Sequence, residues 1–324
     1  MRAVEARAFG GPENLVMADR PDPVPGPGEI VIDVAAVGVN PADTYMLTGT
    51  YVFRPDLPYV PCGDCAGVVS ATGPGVEAPA PGARVFVSAA LTGRLSGCLA
   101  ERIVVAAGDA LPVPDALGLD EAACLGVPYV TAHLALHDKG NVRAGETVFV
   151  HGASGAVGLA AVQLARAAGA RVIGSAGTAE GLARVRREGA ALAVDHGAPG
   201  YLDAVRDATA GTGPALIVEM LADVNLAADL DLAAASGRIV IVGCRGSVTI
   251  QPRVAMLKDI DIRGLAIWNA RQDVVQSALS SILEQAAPGG LRPVIGDRFG
   301  LHEAAEAFRA TVRPGARGKI LICP

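Results

Sequence analysis

Positive charge is scarce in this chain: 27 Lys and Arg stand against 33 Asp and Glu, a net charge of −6 over 324 residues. Nucleic acid and anionic membranes both select clustered cations, so neither is an expected partner. The one basic cluster is Arg184 to Arg187. Cysteine is sparse too. Six of them (Cys62, Cys65, Cys98, Cys124, Cys244, Cys323) are too few to scaffold a chain of this length. The opening MRAVEARAFGGPE has no apolar signal core, so a reducing, cytoplasmic setting is expected. Internal repeats, low-complexity tracts and a Ser-His-Asp constellation are all missing. The uncharged stretch Thr147 to Ala165 is long enough to span a bilayer. Its three glycines, its His151 and its β-branched first third instead mark a buried strand and helix.

Apolar bulk is abundant, with 51% hydrophobic residues and 40 glycines, enough for a large core. The length suggests about two domains. Organisation centres on Thr147 to Thr178. A β-rich run (Thr147 to His151) meets a turn containing Gly152, Gly155 and Gly158. A helix pattern follows to Ala168, stopped by Gly169, and a second strand spans Arg171 to Ser175. Such a strand-turn-helix corner aims backbone N–H groups and the positive end of a helix dipole at a pyrophosphate. The spacing, Gly-x-x-Gly-x-x-Gly, is one residue longer at the front than the common dinucleotide fingerprint.

Before this unit the chain reads as short strands: 4–7, 15–17, 29–36, 66–72, 84–87 and 102–106, set apart by Gly/Pro turns. Their irregular order suggests a partly open barrel or roll. Helical spacing appears at Leu119 to Leu125 and Tyr129 to His137. From Thr147, strands at 147–151, 171–175, 192–195, 215–219, 238–242 and 260–265 predict a doubly wound parallel sheet. The helices between them are expected at 156–168, 180–188, 201–209 and 225–235. Ligands of such a sheet sit at the C-terminal ends of the strands. After Trp268 come a helix (273–287), a strand (293–299), a helix (301–311) and a strand (319–322). These have no place in the completed sheet and are expected to return to the N-terminal domain.

The end of the second strand sorts the cofactors, because a carboxylate there holds the ribose of NAD and repels the 2′-phosphate of NADP. Here it reads Gly174-Ser175-Ala176-Gly177-Thr178, with no acid before Glu180. That end leaves room for a 2′-phosphate, with Arg184, Arg187, His196 or Tyr201 as candidate partners; for each arginine a solvated helix face is the weightier alternative. NADPH is the expected cofactor.

At HGASGAVGLAAVQLARAAG, EMLADVNL (Glu219 to Leu226) and GRIVIVGCRG (Gly237 to Gly246), the chain resembles the zinc-free, zeta-crystallin-like quinone oxidoreductases of the medium-chain dehydrogenase/reductase superfamily. GVNPADTY (Gly38 to Tyr45), GDCAGVV (Gly63 to Val69), VPYVTA (Val127 to Ala132) and RPVIG (Arg292 to Gly296) match the same family in the same order. The resemblance implies an α/β fold in which a Rossmann domain (126–267) is inserted into a GroES-like β-rich catalytic domain (1–125, with a C-terminal return at 268–324). It also implies NADPH-dependent reduction of quinones or other conjugated carbonyls. The family's cofactor positions fall on Tyr45, Ser154, Gly155, Ala156, Val157, Gly177, His196, Asn225, Val242, Gly243, Cys244, Arg245, Leu265, Ala266 and Ile267. Two departures stand out. Ala156 replaces the usual Gly, and Ala183 stands where relatives place a lysine for the 2′-phosphate, with Arg184 one residue on.

Zinc-dependent members of the superfamily carry Cys and His where this chain has Asn40 and Asp64, and a four-cysteine lobe that it lacks. Cys62 and Cys65 form a C-x-x-C without a second pair, and His133 and His137, four apart on a helix pattern, have the spacing of a metal pair but read rather as flanking a hinge or interface, so no metal is expected. Hydride transfer to a conjugated carbonyl leaves an enolate or phenolate oxygen to be stabilised or protonated. The candidates are Tyr45, Asn40 and bound water. Tyr45 follows a strand facing the substrate cleft, and two roles stay open for it: proton donor, or aromatic wall. The loops 47–59, 91–97 and 268–271 are the expected substrate contacts. A 2-enoyl-thioester reductase of fatty-acid or polyketide type, and a nucleotide-binding structural or RNA-associated protein, are the alternatives. An exposed apolar edge at Ile260 to Leu265 suggests a homodimer through the Rossmann sheet.

Overall fold

The computed structural model describes residues 1–315 and 318–324. Its contacts divide into two compact units. One holds Met1–Val127, Gln272–Arg313 and Gly318–Pro324, and the other centres on Pro128–Arg271.

The first unit begins with an antiparallel pair, β1 (Arg2–Ala6) and β2 (Leu15–Asp19). Strand β3 (Glu29–Val39) extends three residues beyond the span expected from its alternation. Its first half buries Ile30 and Ile32 and exposes Asp33, whereas its second half is buried throughout from Ala36. Asn40 and Pro41 then turn the chain into α1 (Pro41–Thr48), with Pro at the first helical position and the Asp43 carboxylate accepting from the Asn40 N–H at 2.7 Å. Because Asp43 and Thr44 are buried alongside Met46 and Leu47, this helix shows no polar-against-apolar stripe in the sequence. The remaining elements here are β4 (Asp64–Thr72), β5 (Arg84–Val87), α2 (Ala89–Thr92), β6 (Arg102–Ala106), β7 (Ala110–Pro112) and α3 (Leu119–Ala122). Helix α4 (Gly126–His133), which from Pro128 on belongs to the second unit, ends in a π-helical turn over Leu134–Lys139.

The second unit alternates β8 (Thr147–Val150), α5 (Ala156–Ala167), β9 (Arg171–Ala176), α6 (Ala179–Arg187), β10 (Leu192–Asp195), α7 (Tyr201–Ala208), β11 (Leu216–Glu219), α8 (Ala222–Leu232), β12 (Arg238–Ile241), α9 (Pro252–Lys258) and β13 (Asp261–Gly264). All six strands are parallel, in the order β10-β9-β8-β11-β12-β13. This is the doubly wound Rossmann order, with its switch point between β8 and β11. The central strands are apolar on both faces: Val148, Phe149, Val150, Ile217 and Val218 are fully buried. Helix α9 has no counterpart in the sequence reading. Its Met256 and Leu257 point to solvent, so no core-facing periodicity betrays it. The Lys258 ammonium at its end donates to the carbonyls of Leu230, Asp231 and Ala233 at the C-terminus of α8, where a cation is favoured.

The chain then returns to the first unit as α10 (Gln272–Ala286), β14 (Ile295–Gly300), α11 (Ala304–Val312) and β15 (Lys319–Cys323). The sheet there runs β14-β15-β3-β4-β5-β7, with β6 also on β3. A register shift near Val34–Ala36 lets β3 pair with β6 at one end and β15 at the other, the bend that a barrel-like sheet needs. Among the described residues no helix is long and apolar enough to cross a membrane.

Candidate functional site

In the second unit, the glycine turn joins β8 to α5. The Gly152 N–H donates to the Ser175 hydroxyl at 3.2 Å and the Ala153 N–H to the Ser175 carbonyl at 2.7 Å, tying the turn to β9. Helix α5 is capped by Gly155 without any side-chain hydrogen bond, whereas α6 is closed by Thr178, whose hydroxyl accepts from the Gly181 N–H. The N-terminus of α5, at Ala156 and Val157, is therefore the open one, and the twelve-residue helix points its dipole at the turn. Ser154 is buried beside it. Gly158 is the packing glycine, since a side chain there would meet the Gly152 carbonyl at 2.5 Å. The extra methyl of Ala156 is half-exposed and leaves the turn intact.

At the end of β9, Gly177 lies against the ring of His196, which is exposed and follows β10. Arg184 stands on α6 with its guanidinium 3.3 Å from Glu180. Tyr201 opens α7, and its phenol is pushed up to about 12 by burial and by the nearby Asp229 and Glu219 carboxylates. No carboxylate belongs to Ala176, Gly177 or Thr178, so the strand end keeps room for a phosphate.

Beyond β11, the Glu219 carboxylate accepts from the Leu221 N–H and from the Asn225 amide (3.1 Å), which fixes the first turn of α8. The Val242 and Gly243 N–H groups donate to the Glu219 carbonyl. Gly243 passes so close to Met220 that a side chain on it would stand 2.2 Å from the Met220 carbonyl. Arg245 N–H bonds Asp223 at 2.8 Å, Cys244 is exposed, and Leu265 N–H bonds Ile241, carrying the chain past β13 to Ala266 and Ile267. Asn225, Val242–Arg245 and Leu265–Ile267 thus follow the C-terminal ends of β11, β12 and β13. Open helix cap, acid-free strand end and close-packed Gly243 turn together fit a dinucleotide phosphate.

Beneath this edge lies a trio that the sequence reading missed. His151 Nε2 stands 2.8 Å from Asp229 Oδ1 and 3.3 Å from Glu219 Oε2, and all three residues are buried. Among the described residues these are the side chains spaced as a metal-ligating group, and Cys62 and Cys65 belong to no such group. The two carboxyls are raised to about 7, mainly by burial, and burial lowers the imidazole. In the same unit the His133 and His137 rings stack 4.5 Å apart, and burial drives His133 down to about 4.

In the first unit, Tyr45 is half-buried on α1, its ring 6.1 Å from that of Tyr51, which in turn lies 6.4 Å from Phe53. Arg54 stacks over Phe9 at 4.4 Å. Burial, with the nearby Asp43 carboxyl, pushes Tyr51 up to about 12, so its phenol stays protonated. Asn40 is buried: its amide donates to Asp64 at 3.0 Å and its carbonyl accepts from the Lys319 ammonium. Asp64 also accepts from the Ala89 and Val127 N–H groups and lies 3.7 Å from Lys319 Nζ. Lys319, a lysine opening an otherwise apolar strand, was the sequence signal for this buried cation.

Residues 156–290 match the zinc-binding dehydrogenase family, and residues 26–115 match the GroES-like domain of alcohol dehydrogenases. Over 324 aligned residues the chain is 40% identical to the quinone oxidoreductases of Rattus norvegicus and Homo sapiens, covering 99% of this chain and 97% of each relative. It also superposes on the quinone oxidoreductase of Thermus thermophilus, solved alone and with NADPH, with a TM-score of 0.85, 35% identity and all of both chains covered.

Proposed function

The chain belongs to the quinone oxidoreductase family of the medium-chain dehydrogenase/reductase superfamily, and from that membership we propose that it reduces quinones or similar conjugated carbonyls with NADPH. The observation that carries this is likeness to quinone oxidoreductases over the full chain, joined to an uncapped α5 N-terminus and an acid-free end of β9. Ser154 to Val157 hold the pyrophosphate; Gly177, Arg184, His196 and Tyr201 surround the 2′-phosphate end. Asn225, Val242 to Arg245 and Leu265 to Ile267 line the rest of the cofactor. When bound, NADPH supplies the hydride. The enzyme works without zinc, because the Asp64 oxygens are already engaged by two backbone N–H groups, Asn40 and the Lys319 ammonium.

Asn40, with both polar ends of its side chain engaged, serves to hold the start of α1. Tyr45 acts as an aromatic wall beside Tyr51. Oxidation of NADPH is expected with benzoquinone and naphthoquinone, with far slower oxidation of NADH. Turnover with crotonyl-thioester alone would instead make the protein an enoyl reductase, and NADPH binding without any turnover a binding protein. In the same assay Tyr45→Phe should keep kcat within about threefold, whereas a proton donor would lose about 100-fold or more.

The protein is a cytoplasmic homodimer joined along β13. Among the described residues that strand pairs only with β12, and Ile262 on it leaves 38% of its surface exposed, while Val224 on α8 and Met256 and Leu257 on α9 leave 63%, 67% and 68%. An apolar sheet edge left open invites pairing. Sedimentation at micromolar concentration should give a dimer, and Met256→Glu with Leu257→Glu a monomer. A wild-type monomer rejects the proposal.

A further inference from the structure

The His151–Glu219–Asp229 trio has too few protons for its oxygens. With both carboxyls ionised and the imidazole neutral, two negative charges would sit in a region with 0–3% exposure and one N–H to share. Buried charges without a cation are not sustained. Two atoms locate what is missing. Glu219 Oε2 and Asp229 Oδ2 are both buried without a hydrogen-bond partner, and one oxygen of each carboxyl lies within 4.8 Å of the other. One added proton shared by the two carboxyls would supply the missing donor, while His151 Nε2–H serves Asp229 Oδ1 at 2.8 Å. The other Glu219 oxygen remains an acceptor for Leu221 and Asn225.

Position gives this proton a consequence. His151 directly follows β8 and Glu219 ends β11, the two neighbouring strands at the centre of the sheet, and Asp229 comes from α8. In a doubly wound sheet the crevice above such strand ends receives the ligand. We propose that the trio is a proton-linked positioning device for the cofactor, which binds tightly only while the Glu219–Asp229 pair retains its shared proton. Loss of that proton places a second negative charge under an anionic dinucleotide and drives the two carboxylates apart, loosening the Leu221–Asn225 turn. This rests on the NADPH reading above.

The sign follows directly. The carboxyls are raised to about 7 by burial, so the shared proton is present below that pH and is lost above it. Cofactor affinity should therefore fall as pH rises through neutrality, with proton uptake from solvent on binding. The other titratable groups facing the trio are Tyr201 on α7, ionising only near 12, and His196 after β10. His196 and the cofactor's own 2′-phosphate titrate alike in wild type and variants, so the difference between them isolates the trio.

Fluorescence titration of NADPH into the full-length protein from pH 6 to 9 tests this, using wild type, Asp229→Asn and Glu219→Gln. In either variant an amide N–H replaces the shared proton permanently. The wild-type Kd should rise about tenfold more than that of the variants over this range, the size expected for one charge about 10 Å from another in a protein interior. Calorimetry in two buffers of different ionisation enthalpy should show proton uptake near pH 8 in wild type that the variants lack. Should one variant fail to fold, the other carries the comparison, and absence of uptake in wild type near pH 8 overturns the proposal by itself. Parallel pH profiles, or a stoichiometric metal ion in the purified protein, overturn it as well. If wild type binds no NADPH at any pH, the cofactor reading falls and takes this inference with it.

Discussion

Lys319→Met is expected to destabilise the protein by about 3–5 kcal/mol, the cost of removing one partner from a buried ion pair. Lys319 is 2% exposed and Asp64 wholly buried, so solvent cannot replace the lost ammonium. Two groups are stranded. Asp64 keeps its N–H donors but loses the cation that stands 3.7 Å away, and the Asn40 carbonyl loses its donor. Burial already pushes the Asp43 carboxyl up to about 7, and the Lys319 charge opposes that rise. Its removal should therefore favour protonated Asp43 and weaken the capping bond that Asn40 N–H makes to it. For units of this size, thermal unfolding should show a midpoint lower by roughly 10 °C. A variant as stable as wild type would mean that backbone donors alone sustain Asp64.

The second large effect is expected at Gly243, and it separates binding from folding. A Cβ there would stand 2.2 Å from the Met220 carbonyl, too close for any rotamer change to relieve, because the obstacle is backbone. The Val242–Arg245 segment must shift in Gly243→Ala, and the strain of overpacking is about 1–3 kcal/mol. The segment is half-exposed and follows β12, so the free protein can relax it. The cofactor-bound form cannot relax in that way if Val242 to Arg245 contact NADPH, and the strain reappears as lost affinity. Dissociation constants about 10–100-fold above wild type should result, with near-native circular dichroism. Unchanged affinity would remove Val242–Arg245 from the cofactor site.

The elements legible in the chain were those whose signals are local. From Thr147 to Leu265 the apolar runs, glycine turns and helix stops recur at strand and helix lengths, so the six parallel strands were read nearly to the residue. The switch-point turn and the acid-free end of β9 were equally visible, because both are properties of five or six consecutive residues. Two helices of seven residues or more escaped. In α1 the buried Asp43 and Thr44 hide the apolar face, and in α9 Met256 and Leu257 face away from the core. Periodicity reports which side of a helix is buried against its own domain, and neither helix obeys that rule.

By itself the sequence determined a dinucleotide-binding Rossmann sheet, its glycine corner, and kinship with quinone reductases. Each follows from residue order over short windows or from likeness along the whole chain. Tertiary structure alone decided how the buried charges are matched. Lys319 meets Asn40 across 279 residues because β15 joins β3 in one sheet, and His151 meets Glu219 and Asp229 because β8 and β11 are neighbours. A strand's hydrophobic pattern specifies that it is buried, but not which strand lies beside it. The partner of a buried charge is set by that neighbour and its register, and burial makes the pairing costly to break.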